Sequence, residues 1–220
     1  KKFIDLRPLI KLDSMKATMK TLSAILICCF ISTIQMYGEN IQRPESENYV
    51  KGVEALNEGN PEAAYTYLNA EINEHPDNGY AHCYMALICN FCNDTKLALQ
   101  ALNSSLELIP EADTEYRSFA HYSRGVLLSN LKMWERAEAD LNEAIRLNPE
   151  DVENYKSRAQ LYFETERYEE SLDDLTRALK LDSKADVNDL MLQLMAVAPT
   201  SEFMERITAT YQQLDQVTIH

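Results

Sequence analysis

Apolar residues in the second half of the chain recur at helical spacing, in pairs of stripes separated by short polar bends. Tyr155, Ala159, Tyr162 and Phe163 fall at i, i+4, i+7 and i+8. Leu172, Leu175, Ala178 and Leu179 form a second stripe one bend later. This spacing gathers them on one face of an α-helix and on no coherent face of a strand. The stretch 118–151 repeats in 152–183 at a shift of 34 residues. Gly125 falls on Ala159, Trp134 on Tyr168, Ala137 on Ser171, Leu141 on Leu175 and Ala144 on Ala178. A fixed period of this length predicts stacked repeats. A helix of about 14 residues is marginal alone in water, and a pair of them leaves an apolar edge that only the next pair covers.

The same unit is visible twice more upstream. The copy at 45–78 has Gly52, then Gly59-Asn60-Pro61 at its bend, then Ala64. Gly59 suits the left-handed residue that ends a helix, Asn60 a cap and Pro61 a first helical position. The copy at 79–112 has Ala86 and Ala98 in the same places, and Pro76 to Pro110 is again 34 residues. Five inserted residues follow at 113–117, with Asp113 as a candidate N-cap. They are expected to lengthen the next helix by about a turn and a half. From 184 to 220 the period decays into two further helical stripes. They read equally as a capping pair or a degenerate fifth repeat.

The motif resembles the tetratricopeptide repeat family, whose unit is a helix-turn-helix of 34 residues with small residues where its helices touch. Here the small pairs are Gly52/Ala64, Ala86/Ala98, Gly125/Ala137 and Ala159/Ser171, each twelve apart. A larger side chain there would force the helix axes apart. The resemblance covers residues 45–184. Departures are Glu71 where Ala144 and Ala178 stand, Ser183 in place of the closing proline, and Thr95 for the aromatic at a bend.

The resemblance implies an all-α fold, an α-solenoid of four such repeats (45–78, 79–112, 118–151, 152–183) wound as a right-handed superhelix. It also implies a concave groove, lined by the first helix of each copy, that takes a peptide or a partner's helix. Matching positions give Tyr49, Val53 and Leu56, then Tyr80, Cys83, Leu87 and Phe91. Phe119, Tyr122, Val126 and Asn130 follow, then Lys156, Gln160 and Phe163. Six of these are aromatic, suited to anchoring a partner's side chains, or to packing between neighbouring copies. A subclass of the family clamps a terminal carboxylate with Lys, Asn and Arg. Tyr49 and Val53 stand at two of those positions here, so that ligand is not expected.

The formal net charge of the 220 residues is −14. Acidic excess argues against nucleic acid and anionic membranes, which are bound through Lys and Arg. It suits a basic partner, or simply keeps the outer faces soluble. The first 38 residues stand apart. Lys16 and Lys20 precede a 13-residue apolar run from Leu22 to Ile34, the order of a secretory signal. A spanning helix needs about 20 residues, so export to a periplasmic or extracellular space is expected, with an uncleaved membrane tether as the alternative. Cys28 and Cys29 lack a preceding small residue and are not read as lipidation sites. Residues 39–44 form a polar link, and residues 1–14 could be read-through upstream of the true start.

Chemistry is sparse. Cys89-Asn90-Phe91-Cys92 has redox spacing but falls at a helix end, the wrong pole to activate a thiol. A structural role is expected for both cysteines, or a local disulfide. His82, Cys83, Cys89 and Cys92 do not assemble four zinc ligands; no metal and no cofactor is expected. His121 reads as a packing residue, and Glu169, Glu170, Asp173 and Asp174 as solvated outer-face charge. No phosphate loop or nucleophile motif occurs. The expectation is a non-enzymatic exported scaffold with a protein or peptide partner, basic or apolar-aromatic. The alternative is the N-terminal interaction arm of a larger exported enzyme.

Overall fold

The computed structural model describes residues 41–197 and 200–217, with side chains described as far as residue 210. The signal-like run and the start of the polar link lie outside the described residues. Those described form ten α-helices and no strand. They are α1 (Glu47–Asn57), α2 (Pro61–Glu74), α3 (Gly79–Phe91), α4 (Thr95–Leu108) and α5 (Thr114–Asn130). α6 (Trp134–Leu147), α7 (Val152–Glu164), α8 (Tyr168–Leu181), α9 (Asn188–Val197) and α10 (Ser201–Val217) follow. The chain divides into two compact units, one ending at Ala120 and one starting at His121.

Every bend within the four helix pairs is built alike. Gly59, Asn93, Lys132 and Glu166 take left-handed φ angles of 71°, 59°, 58° and 61°. The next residue's N–H then reaches back past the last helical turn: Asn60 to the Ala55 carbonyl at 2.8 Å, Asp94 to Cys89 at 2.9 Å, Met133 to Leu128 at 2.9 Å, Arg167 to Tyr162 at 2.7 Å. This doubly bonded ending satisfies carbonyls that the helix leaves open. In the first two pairs a side chain also caps the second helix, Asn60 to the Ala63 N–H and Asp94 to the Leu97 N–H. Met133 and Arg167 provide no such cap. Lys132 and Glu166 carry a Cβ into the left-handed region, which costs about 1–2 kcal/mol. Lys132→Gly is therefore expected to raise stability by about 0.5–1 kcal/mol after glycine's own entropy cost, read from urea melts. A destabilised variant would contradict the bend geometry.

In the first unit, α1 packs on α2 and α3 on α4 through the small residues. A Cβ on Gly52 would lie 2.7 Å from Leu68 Cγ. Ala64, Ala86 and Ala98 are essentially inaccessible. Glu71, standing where later copies have alanine, is buried and accepts a 2.7 Å hydrogen bond from Asn78. Asn78 in turn caps α3 through the Ala81 N–H, so this departure ties the first pair to the start of the second. α5 has 17 residues against 13 in α3 and α7. Its first turn is held by Asp113, which accepts from the Tyr116 N–H at 3.3 Å.

In the second unit, Gly125 plays the part of Gly52. Its Cβ would stand 2.9 Å from Leu141 Cγ and 3.3 Å from the Ala137 carbonyl oxygen. In the fourth pair Ser171 uses the close approach, donating to the Ala159 carbonyl at 2.8 Å. Leu172, Leu175 and Ala178 share one core with Leu190, Met191 and Leu194 of α9 and Phe203 and Ile207 of α10. Arg206 of α10 pairs with Glu169 and, at 2.7 Å, with Asp173 of α8. The last two helices thus complete the apolar face of the fourth pair.

Candidate functional site

The first helices of the pairs carry the predicted groove residues, and the structure sorts them by exposure. In the first unit Tyr49, Leu56, Tyr80 and Cys83 are buried, at 7%, 5%, 5% and 1% exposure. They correct the expectation that they line a groove: their side chains are spent on packing neighbouring helices. Tyr49, Tyr80, Tyr84 and Tyr116 form one aromatic cluster. Tyr80 meets Tyr116 edge-on at 4.8 Å between centroids, and Tyr84 faces both Tyr49 (6.1 Å) and Tyr116 (6.2 Å). The Tyr84 and Tyr116 hydroxyls are 3.0 Å apart. Burial drives the phenols of Tyr49 and Tyr84 well above the ordinary range. Val53, Leu87, Phe91 and Phe119 remain half-buried and offer apolar surface.

A residue of the polar link joins this cluster. The Arg43 guanidinium donates from Nε to Asp113 Oδ2 at 3.1 Å, and from Nη2 to Asp113 Oδ1 at 3.2 Å and Glu115 Oε2 at 2.8 Å. It lies over the Tyr116 ring, 4.6 Å from its centroid. Tyr80 Oη donates to Asp113 Oδ2 at 3.0 Å. Burial, helped by the Asp113 charge, raises the Tyr80 phenol. A contact spanning 70 residues has no periodic signature, and sequence reasoning missed it; the placement of Asp113 at a helix start was its one visible trace.

In the second unit Tyr122, Val126, Lys156 and Phe163 are half-buried, while Asn130 and Gln160 are exposed. The Tyr122 phenol is pushed up to about 12 by burial, against a hydrogen bond with Ser157 that lowers it. Lys156 pairs with Glu153 at 2.8 Å, and Gln160 donates to Glu164 at 2.9 Å. Phe163 stacks at a tilt on Tyr168, 5.6 Å between centroids. Beside Lys156 and Gln160 opens a cleft of about 200 Å³ floored by Leu175, Val187 and Leu190.

Two buried ion pairs recur at the repeat shift. Arg124 binds Asp140 through Nε at 2.7 Å and Nη2 at 2.8 Å, and Arg158 binds Asp174 at 2.7 Å through each nitrogen. Asp174, 5% exposed, is therefore not the solvated charge expected of it, while Glu169, Glu170 and Asp173 are exposed as expected. His121 Nδ1 lies 2.9 Å from Asp140 Oδ1, so it is a polar partner and not a packing residue. The signal was present: Arg and Asp stand sixteen apart in both copies. In the first copy the same two places hold Lys51 over the Tyr67 ring at 5.7 Å.

The cysteines carry no activation. Burial pushes the Cys83 and Cys89 thiols up to about 12 and also raises Cys92. Cys92 caps the C-terminal end of α3, where the helix dipole disfavours a thiolate. Among the described residues no cluster of His, Cys, Asp and Glu is placed to hold a metal ion. No described helix is long and apolar enough to cross a membrane.

Residues 118–151 and 153–184 each match a tetratricopeptide repeat model. The lipoprotein NlpI homolog of Haemophilus influenzae is 31% identical over 87 residues, 40% of this chain and 28% of that protein. Human tetratricopeptide repeat protein 6 is 24% identical over 143 residues, 65% of this chain and 26% of that protein. The chain thus spans about a quarter of the length of the curated relatives it matches. Among solved structures, MamA (residues 41 to the end) from Desulfovibrio magneticus RS-1 is similar in fold, with a TM-score of 0.61 at 19% identity over 77% of this chain and 94% of that one. Residues 118–151 and 153–184 are thus matched tetratricopeptide repeats, and the two upstream helix pairs share their bend within a fold of the same kind.

Proposed function

We propose that the protein is an exported, non-enzymatic scaffold that holds a peptide or partner protein against the first helices of its repeats. The observation that carries this is the surface those helices keep. Val53, Leu87 and Phe91 in the first unit, and Val126, Phe163 and the Lys156–Gln160 cleft in the second, stay partly open while the second helices bury their apolar stripes. Apolar side chains held on rigid helices lose little entropy on binding, which favours recognition. Export rests on the cationic start and 13-residue apolar run, Leu22 to Ile34. One curated relative is named a lipoprotein; here Cys28 and Cys29 follow Ile27 and lack the small residue a lipid site wants.

The test is site-specific photo-crosslinking in the producing cells, with a benzophenone amino acid placed at Leu87, Val126 or Gln160 and, as controls, at outer positions Glu135 or Glu169. Discrete adducts at the first three and none at the controls are expected. Adducts confined to the outer positions would move the binding surface elsewhere. The second reading is an interaction arm of a larger exported enzyme; the matched segments cover about a quarter of each relative, and neither relative's name is that of an enzyme. The size of the endogenous protein on an immunoblot separates the two.

A further inference from the structure

The contact made by Arg43 has the composition of a ligand pocket. Its base is Asp113, a carboxylate only 1% exposed that also accepts from Tyr80 Oη and from the first turn of α5. Glu115 supplies a second carboxylate, and the Tyr116 ring a flat face at 4.6 Å. A planar cation with several donors fits that set: two carboxylates in fork geometry and an aromatic plate select guanidinium over ammonium. Two carboxylates face one guanidinium, and Glu115 Oε1 is buried with no hydrogen-bond partner. The pocket therefore stays anionic even when filled. Arg43 reaches it from a segment without helical structure, and Pro44 after it favours an extended backbone.

We propose that Asp113, Glu115, Tyr116 and Tyr80 form an arginine-recognition pocket of the first unit, occupied in cis by Arg43 and opened to an extended, arginine-bearing segment of a partner protein. This rests on the scaffold reading above and names its partner's chemistry. Arg43 then acts as a tethered competitor: a partner binds only as far as it outcompetes a guanidinium held at high local concentration. An acidic chain whose filled pocket keeps net negative charge steers basic segments toward it.

The probe is a fluorescein-labelled synthetic peptide of this chain's own residues 41–46, IQRPES, titrated by anisotropy into the full chain, native and Arg43→Ala. The variant is expected to bind it at least tenfold tighter than the native chain. Replacing the peptide's arginine by lysine should weaken binding about tenfold, replacing it by alanine should abolish it, and Asp113→Asn in the Arg43→Ala background should abolish it too. Equal binding to native chain and variant, or indifference to the peptide's arginine, overturns the proposal. So does an absence of saturable binding by a variant whose circular dichroism is native. Arg43→Gln, which keeps a hydrogen-bonding side chain, is the second variant; if neither folds, Arg43 is a structural latch and the proposal falls. A native chain that is dimeric where Arg43→Ala is monomeric would assign the pocket to a second copy and also overturn the partner assignment. Crosslinks at Leu87, Val126 and Gln160 that persist while the peptide fails to bind would sink this pocket alone and leave the scaffold reading standing.

Discussion

Gly125→Leu is expected to unfold the third helix pair. The position has no room: the first atom of any side chain would already sit 2.9 Å from Leu141 Cγ and 3.3 Å from a backbone oxygen of α6. The Leu141 side chain is fully buried, at 0% exposure, so it has nowhere to withdraw. Overpacking a well-packed site commonly costs about 1–3 kcal/mol, and four added carbons at a contact this close place the variant at or above the top of that range. Repeat proteins are held by nearest-neighbour terms, so the loss starts locally. Hydrogen exchange should show lost protection first in α5 and α6, with a melting temperature lowered by several degrees. Gly125→Ala is the graded control: its single carbon still meets Leu141 Cγ at 2.9 Å, so it should destabilise as well, but by less. Unchanged melting and exchange in the leucine variant would mean that α5 and α6 do not meet at that residue.

The contact was legible because it is periodic. Small residues twelve apart in four copies, and a left-handed residue at each bend, are local demands that every repeat makes again, so each copy checks the others. Gly59-Asn60-Pro61 announces its bend in chemistry. Lys132 and Glu166 do not, yet adopt the same φ because the helices on either side dictate it. The candidate site was less legible. Tyr49 and Tyr80 match groove positions by register, but in the first unit four tyrosines converge and turn inward, which depends on what faces them across helices and not on their own spacing. Arg43 lies outside the repeats altogether. Its pocket is assembled from a link residue, a helix start and an aromatic from the first turn beyond, and nothing in a 34-residue period encodes that meeting.

The two recurring ion pairs lead to the second large effect. Asp140→Ala would remove the carboxylate that Arg124 and His121 both bond. Removing one partner of a buried pair costs about 3–5 kcal/mol; with the Arg124 side chain 22% exposed, about 3 kcal/mol is expected from denaturant melts. The pH dependence distinguishes the pair from its copy. Burial alone would raise the Asp140 carboxyl, but hydrogen bonds and charge from Arg124 and His121 outweigh it and hold the group below its usual range. At Asp174 burial wins over Arg158, with Asp173 adding like charge, and the group is raised. The difference has a source in the sequence: the place of His121 is taken by Tyr155 in the next copy, which brings no imidazole to Asp174. A lowered native pKa stabilises the fold above the unfolded value, about 3.9 for aspartate, and that contribution disappears as pH falls through the native pKa. A raised one does the reverse, being fully present below about 3.9 and lost as pH rises through the native value. The stability gap between the native chain and Asp140→Asn should therefore narrow as pH drops from 6 to 3. The gap for Asp174→Asn should move in favour of the native chain over the same range. Parallel slopes for the two variants would show that His121 contributes nothing to the charge at Asp140, and that the two pairs are electrostatically the same.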